Sequence, residues 1–138
     1  MIRYTESSKG LDAEMLAGFF EGWSNPPSPE THLQILQRSA HVVLALDHDA
    51  GRAVGFINAI SDGVLCAHIP LLEVLPSHRG RGIGTVLVKR MLAWLRPLYM
   101  IDLLCDADVQ PFYESCGMKR MSGMMVRNPD WNRAIVDG

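Results

Sequence analysis

A glycine-rich turn separates two apolar segments of the sequence, at Arg79-Gly80-Arg81-Gly82-Ile83-Gly84. The run "LLEVLP" before the turn is typical of a strand, and "IGTVLVKRMLAWL" after it has helical periodicity. The first N–H groups of a helix have no partner within the helix, and the helix dipole adds partial positive charge there. Glycines leave those amides accessible to an anion. The turn therefore predicts an anion site, although a plain solvent-exposed turn would have the same composition.

Two common phosphate-binding motifs fit the turn poorly. A Walker loop requires G-x-x-x-x-G-K-[ST], and the nearest lysine, Lys89, lies inside the predicted helix. A dinucleotide fingerprint requires G-x-G-x-x-G, but Thr85 occupies the position of the third glycine. We therefore do not expect the turn to work as a Walker loop or as a dinucleotide-binding fingerprint.

The turn matches R-x-x-G-x-G instead, with "EVLPSH" before it and "PFYESCGM" some thirty residues later. This combination resembles the acyl-CoA motif of the GNAT superfamily of N-acetyltransferases. The resemblance implies a single acyltransferase domain over residues 1–138 with an α/β (α+β) fold. The sheet would be mixed and mostly antiparallel, with about six or seven strands, about four flanking helices, and a fourth strand that splays from the fifth.

The same resemblance implies acetyl-CoA as cosubstrate and no metal ion. The fourth strand would pair with the pantetheine arm, and the amides of the turn would hold the pyrophosphate. The N–H of Val74 would polarise the thioester carbonyl. The implied cofactor-binding residues are Glu73, Val74, Leu75, Arg79, Gly80, Arg81, Gly82, Ile83, Gly84 and Thr85.

Direct attack of a neutral amine on the thioester requires an acid and a base. The resemblance makes Tyr113 the acid, because a phenol is a suitable proton donor to a departing thiolate. His68 is the first candidate for the base, since a histidine titrates near neutral pH, and Glu73 is the second. The apolar neighbours of His68 are equally consistent with a packed histidine. Glu73 would face the gap between the splayed fourth and fifth strands only if a bulge turned it in, and Pro70 predicts an irregularity nearby.

In the superfamily, the acceptor site is built by the first two helices and their connection, which here is the segment "FFEGWSNPPSPE". Phe20, Trp23 and Asn25 are the substrate-binding candidates. Aromatic residues at helical spacing are more often core than pocket, so a purely structural role for Phe20 and Trp23 stays open.

Periodicity and turn residues predict the remaining elements. Strands are predicted at "IRYTE", "HVVLALD", "AVGFINAIS", "GVLCAHIPLLEVLP", "LYMIDLLCD" and "MKRMSGMMVRN". Helices are predicted at "LDAEMLAGFFEGW", from Ser28 and Pro29 through "ETHLQILQRS", at "IGTVLVKRMLAWL" and at "DVQPFYESCG".

Composition narrows the functional class further. The net charge of −2 argues against nucleic acid as a partner, although "HRGRG" is a basic cluster. No apolar run is long enough to span a membrane. Three cysteines at irregular spacing suit reduced thiols in the cytoplasm. The predictions are an N-acetyltransferase of a primary amine, on a small molecule or a protein, or alternatively a non-catalytic acyl-CoA-binding module. The apolar C-terminal segment is compatible with a homodimer.

Overall fold

Residues 1–132 fold around one mixed five-stranded sheet. The computed structural model describes residues 1–132, so residues 133–138 of the predicted domain lie outside the described residues. The sheet order is β1-β2-β3-β4-β5; neighbours from β1 to β4 pair antiparallel, and β4 pairs parallel with β5. The strands are β1 (Ile2–Thr5), β2 (His41–Asp47), β3 (Arg52–Ser61), β4 (Cys66–Val74) and β5 (Met100–Asp102). The mixed, mostly antiparallel sheet is confirmed, with somewhat fewer strands than predicted.

Three α-helices flank this sheet within residues 1–132, namely α1 (Pro29–Arg38), α2 (Ile83–Leu95) and α3 (Gln110–Ser115). At the start of α1, the hydroxyl of Ser28 accepts from the Thr31 N–H at 3.1 Å, and Pro29 occupies the first turn. The bounds of α2 coincide with the predicted helix. It ends two residues before Pro97, as expected for a residue that cannot continue a helix.

The helix predicted over "LDAEMLAGFFEGW" is wrong. Only Ala13–Leu16 form a short 3-10 turn, and the chain then continues irregularly. The reason is backbone geometry: Gly18, Phe20 and Gly22 have φ values of 89°, 66° and 83°, in the left-handed region that interrupts a right-handed helix. The apolar spacing still serves the core, because Phe19 and Phe20 are buried.

The strand predicted over "MKRMSGMMVRN" is also wrong, and β5 is shorter than predicted. Residues 118–128 form no regular element, and residues 119–127 make no backbone–backbone hydrogen bond within residues 1–132. A strand needs a neighbour with which to pair, and the described chain provides none for this segment. Residues 119–127 are called the arm below.

β3 is the centre of the core. Its middle residues are fully buried, with α2 on one face and residues 19–23, called the aromatic segment below, on the other. The ring of Phe56 contacts those of Phe19, Phe20 and His32. These contacts hold the irregular segment and α1 against β3. None of the helices within residues 1–132 is long and apolar enough to cross a membrane.

Candidate active site

The edge of β4 is open along most of its length. β4 pairs with β5 at only three positions, where Cys66, Ala67 and His68 lie opposite Met100, Ile101 and Asp102. From Ile69 to Val74, no strand within residues 1–132 pairs with this edge. The two strands therefore diverge, as the splayed pair was predicted to do.

A bulge lies where the divergence begins. On the other side of β4, Asn58 of β3 is opposite Leu71, and Ile60 is opposite His68. Two steps along β3 thus match three steps along β4, so β4 contains an extra residue in the stretch with Pro70. Proline has no N–H to give to a ladder, which makes this a suitable place for the irregularity. The irregularity predicted from Pro70 is confirmed.

The divergence creates a cavity of about 500 Å³, called the slot below. Its walls combine the open edge of β4, the segment after β5, the start of α3, the aromatic segment and the arm. The lining residues include Phe20, Trp23, Ile69, Pro70, Leu71, Leu72, Glu73, Leu104, Cys105, Asp106, Val109, Tyr113, Met125 and Arg127. Apolar and carboxylate side chains therefore meet in one concave site.

The glycine-rich turn joins β4 to α2. Gly80 and Gly82 have φ values of 77° and 79°, a conformation that residues with a side chain rarely adopt. Gly82 caps α2 without a side-chain hydrogen bond. None of the six N–H groups of residues 80–85 donates to a group within residues 1–132. The turn is therefore a row of free donors at a helix N-terminus, which is the chemistry of an anion site.

The side chain of Arg79 stabilises this turn through hydrogen bonds. Its Nε donates to the Val74 carbonyl at 3.0 Å, and its Nη2 donates to the Glu21 carboxylate at 2.8 Å. Its own backbone N–H donates to Pro76. Arg79 thus ties the turn to β4 and to the aromatic segment, a role that no local sequence pattern reveals. Arg81 is exposed and makes no hydrogen bond or ion pair within residues 1–132.

Backbone alternation assigns one amide of β4 to the slot. The N–H of Leu75 donates to the Val54 carbonyl at 2.8 Å and so faces β3. Because the direction of N–H groups alternates along a strand, Glu73 also donates toward β3, and the Val74 N–H faces the open edge. Of the three residues expected to pair with an added chain, only Val74 turns its amide to the slot. The amides of Glu73 and Leu75 face β3 instead, and the cofactor-binding role of these two residues stays a prediction.

Tyr113 lies on α3 and lines the slot, partly buried. Burial, followed by the nearby thiols of Cys105 and Cys116, raises the pKa of Tyr113 to about 12. The phenol therefore keeps its proton throughout the neutral range. It can act as an acid and is unsuited to act as a base.

Glu73 lines the slot but is already engaged. Its two carboxylate oxygens accept from the backbone N–H of Phe20 at 2.7 Å and 3.0 Å. Burial raises the pKa of Glu73, while the hydrogen bonds from Phe20 and Glu21 and the charge of Arg79 act in the opposite direction. The carboxylate thus holds the aromatic segment in place beside the slot.

The remaining candidates separate into two groups. Phe20 and Trp23, two of the three candidates for substrate binding, line the slot. His68 does not line it, because it lies before the bulge with an exposed side chain. Asn25 does not line it either: its side chain hydrogen-bonds Asn132, and its carbonyl accepts from the Trp131 indole at 3.3 Å.

Two slot residues were missed because they belong to the arm. Met125 and Arg127 line the slot, yet that segment was predicted only as a strand. No spacing signal in the sequence relates them to β4. Within residues 1–132, no group of three His, Cys, Asp or Glu side chains is arranged to hold a metal ion.

Comparisons with known proteins agree with this geometry. A model of the acetyltransferase (GNAT) family matches residues 9–118. A chloroplastic serotonin N-acetyltransferase 2 from Oryza sativa subsp. japonica is 34% identical over 116 residues, which are 80% of this chain and 58% of that protein. An aminoglycoside N(6')-acetyltransferase type 1 from Acinetobacter genomosp. 13 is 31% identical over 94 residues, 59% of this chain and 64% of that protein. The chain thus spans about three fifths of the length of these two relatives.

A solved structure from Deinococcus radiodurans R1 is also similar, and its own acetyltransferase assignment is provisional. It is 50% identical, covers 94% of this chain and 90% of its own, and superposes with a TM-score of 0.90. A second structure, of a GNAT-family acetyltransferase from Streptococcus pneumoniae TIGR4, has 30% identity and a TM-score of 0.75, with 93% of this chain and 98% of that chain covered.

Proposed function

The chain belongs to the acetyltransferase (GNAT) family, and we propose that it transfers the acetyl group of acetyl-CoA to a primary amine. The observation that carries this proposal is the row of six N–H groups in residues 80–85 that have no partner within residues 1–132, beside the open edge of β4. Such a row suits a pyrophosphate, and an open strand edge suits an extended chain with amide groups. Pantetheine and pyrophosphate are the two parts of coenzyme A that these features would recognise.

Each part of the site has a task in this proposal. Residues 80–85 hold the pyrophosphate through their amides, and Val74 pairs with the pantetheine arm. When bound, acetyl-CoA supplies the acetyl group as a thioester. The Val74 N–H faces the open edge and donates to the carbonyl oxygen of that thioester, where negative charge develops. Arg79 fixes the position of the turn relative to β4, because its Nε donates a hydrogen bond to the Val74 carbonyl.

Tyr113 is the proposed acid. It lines the slot, and its pKa of about 12 keeps its proton available for the departing thiolate. The base is not assigned to His68, because that side chain is exposed outside the slot. Glu73 is assigned to positioning, since both of its oxygens accept from Phe20.

The acceptor is proposed to be a primary amine attached to an apolar body. The slot has aromatic walls at Phe20 and Trp23, and the carboxylates of Glu73 and Asp106 also line it. Carboxylates favour a cationic amine before it loses its proton, and aromatic walls favour an apolar substituent. The two curated relatives are named for amine acceptors, serotonin and an aminoglycoside, which agrees with this class.

The first experiment is calorimetric titration with acetyl-CoA, CoA and NAD, followed by a thiol-release assay with a panel of primary amines. We expect micromolar binding of acetyl-CoA, no binding of NAD, and thiol release that depends on an amine. Absence of acetyl-CoA binding would refute the proposal. Binding without thiol release from any amine would favour a non-catalytic acyl-CoA-binding module instead.

We also propose that the protein acts in the cytoplasm. Its three cysteines, Cys66, Cys105 and Cys116, are all free thiols. Free thiols are typical of proteins in a reducing compartment. Fractionation of the native host with an antibody against the chain would test this location.

A further inference from the structure

A second cavity, called the α1 cavity below, lies where the irregular segment after β1 meets the start of α1. Its volume of about 640 Å³ is within the range of small-molecule sites. The lining residues are Leu16, Gly18, Phe19, Phe20, Pro26, Pro27, Ser28, Pro29, Thr31, His32, Gln34, Trp131 and Asn132. Among the described residues, Phe20 alone lines both this cavity and the slot. The α1 cavity is therefore separate from the site at the edge of β4.

The walls of the α1 cavity differ from those of the slot in charge. Apart from His32, none of the lining residues within residues 1–132 is acidic or basic, and three of them are prolines. The slot, in contrast, is lined by Glu73, Asp106 and Arg127. Moving an ion from water to an uncharged, mostly apolar wall is costly. The α1 cavity therefore suits an uncharged molecule, whereas the slot suits a cation.

His32 gives this cavity a polar group that the described chain does not satisfy. Its side chain is fully buried, and neither ring nitrogen has a hydrogen-bond partner within residues 1–132. The rings of Phe19, Phe20 and Phe56 contact it edge-on, with centroids at 5.5, 4.8 and 4.3 Å. Burial lowers the pKa of His32 to about 4, so the neutral ring carries one N–H donor and one acceptor nitrogen.

The other polar side chains of the walls are already paired or lie in solvent. Ser28 Oγ donates to Thr31 Oγ1 at 3.1 Å and accepts from the Thr31 N–H. Asn132 Nδ2 donates to Asn25 Oδ1 at 3.0 Å, and Gln34 is exposed. Since a buried polar group without a partner lowers stability, His32 is the wall residue that gains most from a ligand.

We propose that the α1 cavity binds a small uncharged aromatic molecule with one hydroxyl group, which hydrogen-bonds the ring of His32. A hydroxyl group can donate or accept, so it matches either nitrogen of a neutral imidazole. The aromatic ring packs against the prolines and continues the edge-to-face arrangement of Phe19 and Phe20. The cavity and its ligand do not depend on the proposed acetyl transfer.

Binding in the α1 cavity also acts on the slot, through Phe20. His32 is fully buried, so a ligand must displace one of the rings that cover it, and Phe20 is the covering ring that also lines the slot. The Phe20 ring contacts that of Trp23 in the slot wall, with centroids 5.1 Å apart. Displacing Phe20 therefore changes a wall of the slot, which couples the two cavities.

The test is titration of the full-length chain with phenol, benzene and benzoate, followed by NMR of the labelled protein. We expect a dissociation constant of about 1 mM for phenol, as for a small fragment. Benzene should bind at least about tenfold more weakly because it lacks the hydroxyl group, and benzoate should not bind because it is charged. Phenol should shift the amide signals of Thr31 and Gln34, the ring nitrogen signals of His32 and the indole signal of Trp23.

A variant separates the hydrogen bond from the packing. His32→Leu removes the polar ring and keeps an apolar side chain, so it should bind benzene like the wild type but lose the preference for phenol. His48→Gln, at an exposed turn, is the control and should keep that preference. Binding of benzene by His32→Leu also shows that the cavity of this variant is folded.

Several results would overturn the proposal. These are no binding of phenol by the wild type, equal binding of benzoate, or a preference for phenol that His32→Leu retains. Amide shifts centred on Tyr113 instead of Thr31 would place phenol in the slot. Ring nitrogen signals of His32 that phenol leaves unchanged would overturn the proposal without any variant.

Discussion

Both carboxylate oxygens of Glu73 accept from the backbone N–H of Phe20, at 2.7 Å and 3.0 Å. Phe20 has a φ of 66°, the only left-handed value of a non-glycine residue within residues 1–132. Such a conformation costs of order 1–3 kcal/mol and persists where the surroundings hold it. Glu73, in the β4 wall of the slot, therefore stabilises the backbone conformation of Phe20 in the opposing wall.

Replacing Glu73 should loosen that wall. Glu73→Gln keeps the size of the side chain and removes its charge, so the hydrogen bond to Phe20 weakens. We expect the KM for the acceptor amine to rise about tenfold, with a smaller change in kcat and unchanged affinity for acetyl-CoA. Glu6→Gln, at an exposed position of the chain, is the matched control.

Steady-state kinetics at several amine concentrations separate this positioning role from general-base catalysis. A fall in kcat of about 100-fold at unchanged KM would contradict it and would assign Glu73 as the base.

Tyr113 should act on the chemical step alone. Tyr113→Phe keeps the ring packed on α3 and removes the proton donor, so we expect kcat to fall by about 100-fold or more. Acetyl-CoA affinity should be unchanged, which calorimetry can check. Because burial raises the pKa of Tyr113 to about 12, the wild-type rate should show no alkaline decline from this group below about pH 11. Tyr99→Phe, with 84% of the Tyr99 surface exposed, is the control. A loss of less than tenfold would tell against the acid role.

The elements that the sequence predicted well are those fixed by local pattern. The bounds of α2 follow from its apolar period and from Pro97, and those of α1 from Ser28 and Pro29. The glycine-rich turn could be predicted because the amides that it exposes are neighbours in the sequence. All of these features are encoded within about a dozen consecutive residues.

The site features that the sequence did not reveal depend on distant contacts. Phe20 and Glu73 are 53 positions apart, and no spacing rule relates them. The left-handed conformation of Phe20 interrupts the helix that was predicted there. The spacing of apolar residues carries no information on φ, so the sequence could not reveal this interruption. The exposed position of His68 follows from a bulge whose exact register Pro70 alone does not fix. The arm has strand-like composition, but composition does not say where its partner is.

The glycine-rich turn offers a test with a matched pair of glycines. Gly82 and Gly51 have φ values of 79° and 65°, and an added Cβ would meet nothing within 4 Å at either position. Alanine at either site should therefore cause similar backbone strain and a similar loss of stability. Only Gly82→Ala distorts the start of α2, so it should weaken acetyl-CoA binding at least about tenfold while Gly51→Ala leaves it unchanged. Equal affinities in the two variants, measured by calorimetry, would refute the anion site.

His32 provides a prediction about stability that is independent of catalysis. Its side chain is fully buried against three phenylalanines, and neither ring nitrogen has a hydrogen-bond partner within residues 1–132. Burial lowers the pKa of His32 to about 4. The folded protein therefore keeps this ring neutral at pH values where the unfolded chain, with a histidine pKa of about 6.5, already takes up a proton.

The direction of the pH effect follows from that difference. The contribution of His32 to stability is complete above about pH 6.5 and is lost as the pH falls toward 4, because protons bind the unfolded state first. Between pH 7 and pH 5 the free energy of unfolding should fall by about 2 kcal/mol on account of this one group. His32→Leu should remove that part of the pH dependence, whereas His48→Gln, at an exposed turn, should keep it. Urea unfolding of the three proteins at both pH values measures the slope. An identical slope in His32→Leu and in the wild type would mean that His32 is protonated, or solvated, within the fold.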